Sequence, residues 1–365
     1  MQADGAFSPS SQINEPPVLE VEHLTIDFFT ERGVIHAVRD VSFSLRAGET
    51  LALVGESGCG KSVICKSIPG ILHSRGKITG GCIRYRGQEI SNLTEKQLRA
   101  IRGKEIGMVF QNPMTVFDPT VTVGRQIAEA VLAHGEKCSK KQALKRAEEL
   151  LAMVEIERPE ERAHQYPHEF SGGMLQRAAI ACALAASPGL LIADEPTTAL
   201  DATVQKQILS LLISLQKKTG IAILFVTHDL SVVAQIAHRV TVLYAGKVVE
   251  TGTVQEIFYD PRHPYTWGLF ASLPCAEGQT SVPMPGTAPD MLHPPQGDAF
   301  APRNRFALEI DYKEQPPLFY LGGTHYAATW LAHPNAPEIK PPVHIQNGRI
   351  LVDDVYGTNG EHTEA

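Results

Sequence analysis

The sequence predicts an α/β fold. A parallel sheet with flanking helices is joined by an antiparallel β subdomain, an α-helical insert and a loop-rich C-terminal extension. Three observations lead to this prediction. Residues 18–50 alternate apolar and polar side chains, as antiparallel strands do. From residue 50, short apolar runs alternate with helical patterns, which is typical of a parallel sheet. Residues 121–186 have an almost wholly helical periodicity.

Composition limits the classes to which the chain can belong. Its 365 residues suffice for two or three domains or subdomains, and 43% of them are hydrophobic. The net charge of −7 gives no sign of a nucleic-acid partner. The apolar run at 221–226 is far shorter than the roughly 20 residues that a membrane helix needs. The six cysteines form no CxxC pair, so we expect reduced thiols.

Shifts in composition divide the chain into four predicted segments. Residues 1–17 lack a basic start and an apolar stretch, so we expect a disordered lead-in and no secretory signal. Residues 18–260 form the main domain, with the helical insert at about 121–186. Residues 261–357 hold most of the 25 prolines and form the C-terminal region. Residues 358–365 are a predicted tail.

The strongest chemical motif is a glycine-rich loop after an apolar strand, LALVGESGCGKS at 51–62. Its glycines let backbone N–H groups wrap a phosphate, Lys61 brings charge to the outer phosphates, and the Ser62 hydroxyl can reach Mg²⁺. The predicted nucleotide-binding residues of this loop are Gly55, Glu56, Ser57, Gly58, Cys59, Gly60, Lys61 and Ser62. The parallel sheet is therefore predicted to be a P-loop NTPase core, and the loop alone does not distinguish ATP from GTP.

Three further apolar runs end in polar residues. These are IGMVFQ at Gln111, LLIADE at Asp194 and Glu195, and ILFVTH at His228. Ligands of open α/β sheets bind at the carboxyl ends of the strands, so these side chains should gather around the phosphates. Asp194 suits an Mg²⁺ shell, together with Ser62 and Gln111. Glu195 is predicted to orient or deprotonate the attacking water, with His228 and Gln111 completing the catalytic set.

A second glycine pair precedes a helical pattern far from the first loop. In EFSGGMLQR, Ser171 can cap the helix, and Gly172 and Gly173 allow close approach of a ligand to the backbone. An ordinary helix N-terminus would have the same residues, so this motif alone does not establish an anion site. One nucleotide does not need two phosphate loops, which raises the question of what the second one binds.

Five motifs in order and spacing resemble those of ABC-type ATPases: GESGCGKS, FQNP, SGGMLQR, LLIADEPTTALD and VTHDL, within residues 18–260. The resemblance implies that two such domains pair head to tail and hold ATP between the P-loop of one and the SGG segment of the other. The residues that it assigns to the partner's site are Ser171, Gly172, Gly173, Gln176 and Asp201. It also implies an adenine-stacking aromatic, for which Phe28 is preferred and Phe29 is the alternative. A buried strand position would account for Phe28 equally well.

The C-terminal region is similar to that of dipeptide and oligopeptide importer ATPases, notably in HPYTWGLFASLP at 263–274 and FAPRNRFALEI at 300–310. Many such relatives carry four cysteines here that can hold an iron–sulfur cluster. The matching positions in this chain are Asp298, Asn304, Asp311 and Thr329. Because such clusters are bound by thiolates, we predict that this chain holds none. Trp267, Phe306 and Trp330 are the expected packing anchors of the segment.

The resemblance implies the ATP-hydrolysing subunit of an importer for peptides or related small solutes. Its expected partners are two membrane-spanning permease subunits, a second ABC ATPase and an extracytoplasmic solute-binding protein. Its expected location is the cytoplasmic face of the cell membrane, as a peripheral subunit that touches a permease through residues 114–123. The alternative is a soluble ABC ATPase of DNA repair or translation. The sequence has neither the long coiled coil nor the fused second ATPase domain of those proteins.

Overall fold

The structure is a computed structural model that describes residues 16–134, 138–198, 200–273, 281–346 and 349–352. The predicted lead-in at 1–17 lies outside these residues except for its last two positions. The predicted tail at 358–365 lies wholly outside them, as does Cys275. Among the described helices, none combines the length and the apolar character that a membrane crossing requires.

The described strands are, in chain order, β1 (Leu19–Thr30), β2 (Gly33–Leu45), β3 (Thr50–Val54), β4 (Gly76–Tyr85), β5 (Gln88–Glu89), β6 (Ile106–Val109), β7 (Leu190–Asp194), β8 (Ala222–Thr227), β9 (Arg239–Tyr244), β10 (Lys247–Thr253), β11 (Phe319–Gly322), β12 (His325–Ala327), β13 (Val343–Gln346) and β14 (Arg349–Val352). The described α-helices are α1 (Lys61–Ser67), α2 (Glu95–Ile101), α3 (Val123–His134), α4 (Lys140–Met153), α5 (Pro159–Ala163), α6 (Gly172–Ala183), α7 (Ala202–Thr219), α8 (Leu230–Ile236), α9 (Val254–Tyr259) and α10 (Pro264–Ala271).

The central sheet has eight strands in the order β11-β12-β10-β9-β3-β8-β7-β6. Strands β9, β3, β8, β7 and β6 run parallel, and β10, β12 and β11 continue the sheet in antiparallel pairs. Every residue of β3, β7 and β8 is buried, as expected for parallel strands that are covered on both faces. The predicted parallel core is confirmed, and β9 and β10 form the hairpin that turns at Ala245 and Gly246.

A second sheet is wholly antiparallel, in the order β2-β1-β4-β5. Its inner face packs on the central sheet, since Leu24, Ile26 and Val38 belong to the same buried cluster as Leu51 and Leu53 of β3. This is the predicted β subdomain. It holds the start of the chain's described part against the strand that leads into the glycine-rich loop.

The predicted helical insert contains α3, α4, α5 and α6. Apolar residues of these helices form one buried cluster with the outer strands and α7, represented by Ile127, Leu150, Ile180 and Leu212. Ser139 caps α4, and its hydroxyl pairs with Gln142 in a capping box, which the sequence SKKQ favours. The insert therefore completes the predicted fold class, which is confirmed.

The C-terminal region packs on the central sheet instead of standing apart from it. Strand β12 pairs with β10, at Glu250 opposite Ala327 and Thr251 opposite Tyr326. The cluster behind β3 contains Val54 together with Trp267, one of the predicted anchors. Trp267 is 2% exposed, and its ring lies 5.5 Å from that of the second anchor, Phe306. The third anchor, Trp330, is half-buried and contacts Phe319.

Candidate nucleotide-binding site

The glycine-rich loop occupies residues 55–60, between the buried strand β3 and helix α1. Gly55 has φ +150°, and a Cβ there would lie 2.2 Å from the carbonyl oxygen of Leu243. Gly60 has φ +106°, and its Cβ would lie 2.6 Å from the carbonyl oxygen of Ala37. Neither position has room for a side chain, because backbone atoms cannot move aside as a flexible side chain would. The close packing of the loop thus explains two of its glycines.

Lys61 lies inside the bend of this loop and is 4% exposed. Its ammonium donates to the carbonyl oxygens of Gly55 at 2.7 Å and Glu56 at 2.8 Å. An ammonium group has three N–H donors, and the third makes only a long contact of 3.8 Å with Cys59 Sγ, so a stronger acceptor in the cavity that Lys61 lines can take its place. The loop therefore holds a positive charge at the position where the sequence predicts the outer phosphates.

A cavity of about 740 Å³ opens at the carboxyl ends of the parallel strands. It brings together the glycine-rich loop, Gln111, Glu195 and His228, as the strand-end argument predicted. The described residues that line it are Ala37, Gly55, Glu56, Ser57, Gly58, Gly60, Lys61, Ser62, Val63, Gln111, Glu195, Thr198, His228, Leu269, Ser272, Pro283 and Met284. Its volume lies within the range of ordinary small-molecule sites.

The Glu195 carboxylate contacts three polar side chains at this cavity. Gln111 Nε2 donates to Glu195 Oε2 at 3.1 Å, and the Thr198 hydroxyl donates to the same oxygen at 2.9 Å. His228 Nδ1 lies 3.4 Å from Glu195 Oε1. The backbone of Glu195 has φ +47°, a left-handed conformation that is uncommon for glutamate and recurs at functional sites. The carboxylate is thus held in one orientation by neighbours from three different strand ends.

Asp194 lies next to Ser62 in the first turn of α1, and the Ser62 hydroxyl donates to Asp194 Oδ1 at 2.8 Å. Burial raises the pKa of the Asp194 carboxyl, while the hydrogen bond from Ser62 and the charge of Lys66 act in the opposite direction. Hydroxyl and carboxylate oxygens are the ligands that Mg²⁺ prefers. The paired oxygens of Ser62 and Asp194 therefore fit the predicted metal, with the Gln111 amide nearby on the cavity wall.

The second glycine segment faces solvent at the start of α6. Ser171 is its N-cap, and its hydroxyl accepts from the Met174 N–H at 3.3 Å. Ser171 and Gly172 are exposed, and a Cβ on Gly172 would meet only Leu200, at 3.9 Å. Among the described residues that line the cavity, none belongs to the segment 171–173. Asp201 caps α7, accepting from Thr203 and Val204 N–H groups, and is also exposed.

Gln176 and both candidates for the adenine-stacking aromatic lie outside the cavity. Gln176 is 1% exposed and packs in the interior, so its side chain does not share the exposed face of Ser171 and Gly172. Phe28 is half-buried, and its ring packs closely over Gly76. Phe29 is 46% exposed. In the described structure, neither phenylalanine lines the cavity. The adenine-stacking role stays a prediction. The alternative, that Phe28 is a packing residue of its strand, is consistent with its half-buried position.

Several residues of the cavity wall were not predicted from the sequence. Thr198 could have been predicted from the motif DEPTTALD. It lies three positions after Glu195, so its hydroxyl lies one turn away and can reach the carboxylate. Ala37 has no chemical signal in the sequence. The same is true of four residues from the C-terminal region, which are Leu269, Ser272, Pro283 and Met284.

The four positions that match cluster cysteines are all buried, at 9% exposure or less. Each side chain accepts a hydrogen bond from a backbone N–H two or three residues away; these residues are Asp298, Asn304, Asp311 and Thr329. The side chains offer oxygens in place of thiolates, so they do not fit an iron–sulfur cluster. The absence of a cluster stays a prediction, and local hydrogen bonds order these turns.

Buried Asp298 should make stability depend on pH. Burial, together with the charge of Asp311, raises the pKa of Asp298 from 3.8 to about 6. A raised pKa in the folded state means that stability is complete below about pH 4 and is lost as the pH rises through 6. Asp298→Asn keeps the acceptor oxygen and cannot ionise. We expect it to raise the free energy of unfolding at pH 7.5 by on the order of 2 kcal/mol, and not at pH 4.

Denaturant unfolding at several pH values would measure this difference. Asp290→Asn is the matched control, since Asp290 is exposed and accepts in the same way from the N–H two residues ahead, that of Leu292. The control should change stability little at any pH. An Asp298→Asn effect of equal size at pH 4 and pH 7.5 would contradict the assignment.

Comparison with known proteins identifies the family. The family described as ABC transporter matches residues 38–198, and the family described as oligopeptide/dipeptide transporter, C-terminal region, matches residues 249–310. The chain is 55% identical over 329 residues to the oligopeptide transport ATP-binding protein OppD of Bacillus subtilis (strain 168), covering 89% of this chain and 92% of that protein. It is 52% identical over 333 residues to the dipeptide transport ATP-binding protein DppD of Lactococcus lactis subsp. cremoris (strain MG1363), covering 91% and 95%.

Solved structures give the same result for the main domain. The ATP-binding cassette MJ0796, described as a dimeric post-hydrolysis state bound to ADP and Pi, is 30% identical with a TM-score of 0.59, and the match covers 65% of this chain and 98% of that chain. CbiO1 from Clostridium perfringens, part of an ABC transporter complex, is also 30% identical, with a TM-score of 0.57 and coverage of 67% and 91%. With the loop, the strand-end cluster and the C-terminal region in place, the chain belongs to the ATP-binding proteins of oligopeptide and dipeptide ABC transporters.

Proposed function

We propose that this chain binds and hydrolyses ATP to power an ABC importer for peptides or related small solutes. The observation that carries the proposal is the cavity in which the glycine-rich loop faces Glu195 and His228. The match of residues 249–310 to the C-terminal region of peptide transporters supports the importer over the soluble repair or translation type. The intact set of Lys61, Glu195 and His228 also argues against a purely regulatory nucleotide-binding module.

Each group in the cavity has a task that its position supports. Backbone N–H groups of the loop and the Lys61 ammonium bind the phosphates. Glu195 orients or deprotonates the attacking water, and the hydrogen bonds from Gln111 and Thr198 fix its carboxylate. His228 donates to the γ-phosphate. Ser62, Asp194 and Gln111 would hold Mg²⁺, which neutralises phosphate charge when bound.

The segment 171–173, in which Ser171 and Gly172 are exposed, supports a head-to-tail pair of ATPases, in which it contacts the nucleotide bound to the partner. It lies outside the chain's own cavity, and the similar cassette MJ0796 is described as dimeric. The proposed assembly contains two permease subunits, this chain and a second ABC ATPase, supplied by an extracytoplasmic solute-binding protein. Its place would be the cytoplasmic face of the cell membrane, with this chain as a peripheral subunit.

The stretch after Gln111 is the proposed contact with a permease subunit. Met114 is 59% exposed, which is unusual for so large an apolar side chain. Phe117 and Val123, at 5% and 0% exposure, anchor the same stretch in the helical cluster. Because the stretch is anchored by buried residues, a permease subunit that binds at Met114 could shift the whole stretch. This shift could reach the hydrogen bond between Gln111 and Glu195.

Co-expression with a permease pair tests the proposal. The purified complex in lipid should hydrolyse ATP, and the rate should rise when a solute-binding protein loaded with di- or oligopeptides is added. Lys61→Ala in this chain should abolish the stimulated activity. A complex that assembles and hydrolyses ATP without any response to peptide would contradict the peptide assignment. Failure to associate with any permease would contradict the transport role.

A further inference from the structure

Arg303 of the C-terminal region makes a bidentate ion pair with Glu56 of the glycine-rich loop. Its Nη1 and Nη2 atoms donate to the two carboxylate oxygens of Glu56 at 2.7 and 2.9 Å. The Arg303 side chain is only 5% exposed, and that of Glu56 is 31% exposed. Planar guanidinium and carboxylate groups matched in this way give both strength and a fixed geometry. A residue 247 positions away in the sequence thus fixes the second residue of the loop.

Two further donor groups of Arg303 tie this pair to the cavity wall. Its Nε donates to the carbonyl oxygen of Pro285 at 2.7 Å, next to Pro283 and Met284, which line the cavity. Nη1 also donates to the Tyr244 hydroxyl at 3.2 Å. One guanidinium therefore joins the loop, the end of β9 and the C-terminal wall of the cavity.

Tyr265 of α10 makes the second contact with the same loop residue. Its hydroxyl oxygen accepts from the Glu56 backbone N–H at 2.7 Å. The ring is fully buried against Tyr244 and Phe300, so the hydroxyl has little freedom to move. Burial raises the pKa of Tyr265 well above its usual range, so the hydroxyl stays neutral. The contact occupies the N–H of Glu56, so this group is not available to a phosphate.

We propose that Arg303 and Tyr265 are positioning residues of the nucleotide site and that Arg303 also neutralises Glu56 next to the bound triphosphate. Glu56 lines the cavity, and an unpaired carboxylate there would repel a polyanionic ligand. The C-terminal region is then part of the ATP site and not only a covering of the sheet. This inference rests on the proposed assignment of the cavity to ATP.

Nucleotide titration of the purified full chain tests the inference, with a fluorescent ATP analogue as the probe. Arg303→Met should weaken binding about tenfold, because a carboxylate is left unpaired beside the phosphates. The double variant Arg303→Met/Glu56→Gln should bind more tightly than Arg303→Met alone, since it carries no unpaired carboxylate. Added salt should reduce the difference in nucleotide affinity between Arg303→Met and the unaltered chain, because salt screens charge repulsion. A purely structural role would give neither the rescue nor the salt effect.

A second variant keeps the test decisive if Arg303→Met does not fold. Tyr265→Phe removes one oxygen, retains the packed ring and leaves the Glu56 N–H without its acceptor, so binding should weaken several-fold. Tyr85→Phe is the matched control, a buried tyrosine whose hydroxyl contacts Glu105 away from the cavity, and it should bind as the unaltered chain does.

The outcomes separate this inference from the function on which it rests. If the unaltered chain binds ATP and folded Arg303→Met and Tyr265→Phe bind it equally well, the inference is wrong and the proposed function stands. If the double variant binds no better than Arg303→Met, the neutralising role of Arg303 is wrong. If the unaltered chain binds no ATP, the proposed function fails, and the inference fails with it.

Discussion

Replacing Glu195 with glutamine should lower the ATP turnover of the assembled complex on the order of 10²-fold or more. Glutamine has nearly the same shape and keeps one acceptor oxygen for the Gln111 and Thr198 donors that now bind Oε2. It loses the negative charge that orients or deprotonates the attacking water. Nucleotide affinity should be retained, because the loop and Lys61 are untouched. Single-turnover hydrolysis and nucleotide titration on the same preparation measure the two quantities.

Two further variants serve as comparisons for Glu195→Gln, one expected to lose nucleotide binding and one expected to change nothing. Lys61→Ala should weaken nucleotide binding itself, since the ammonium holds the carbonyl oxygens of Gly55 and Glu56 and carries the charge. Glu129→Gln is the neutral control, the same change at an exposed residue of α3. If Glu195→Gln hydrolysed ATP at the parent rate, Glu195 would have no part in the chemical step.

Gly172→Asp should abolish hydrolysis at the site completed by the segment 171–173, with little effect on the lone chain. A side chain at Gly172 meets only Leu200 within 4 Å, so the fold should tolerate it. In the proposed pair the new carboxylate faces the partner's γ-phosphate. Two unit charges about 4 Å apart, at an effective dielectric constant near 20, repel each other by roughly 4 kcal/mol. The activity of that site should therefore fall by at least 10²-fold.

The matched control is Gly172→Asn, which adds the same bulk without the charge. It should retain much more activity than Gly172→Asp. Gly173 is unsuitable for this test, because a Cβ there would lie 2.5 Å from Val204 of α7. Nucleotide affinity of the lone chain should be the same for both Gly172 variants. Equal loss of activity with Asn and Asp would mean that bulk, and not charge, is what the interface excludes.

Much of the fold follows from local patterns that tertiary packing did not override. Four of the parallel strands, β3, β6, β7 and β8, are built on apolar runs with polar residues at or just after their ends, and buried parallel strands have this composition. The same pattern placed Gln111, Glu195 and His228 at one edge. Strand β4 is less apparent, because Gly80 and Gly81 interrupt its alternation where the pairing with β1 shifts register.

Long-range contacts of the C-terminal region could not be predicted in this way. Strand β12 has three residues, and its pairing with β10 depends on the packing of everything between them. No motif around Arg303 or Tyr265 indicates that these residues act at a ligand site. Their shared contact with Glu56 is apparent only from the fold. Gln176 is a polar motif residue that is buried in the described structure, and its assignment to the partner's site stays a prediction.

In the proposed head-to-tail pair, each ATP lies between the P-loop of one chain and the segment 171–173 of another. Photocrosslinking tests it most directly, with an ATP analogue that carries a reactive group on the γ-phosphate and with Glu195→Gln to prevent turnover. The dilute lone chain should be labelled at its P-loop peptide and not at the peptide that contains Gly172. The assembled complex should be labelled at both. Labelling of the Gly172 peptide in the lone chain, or its absence in the complex, would contradict the head-to-tail account.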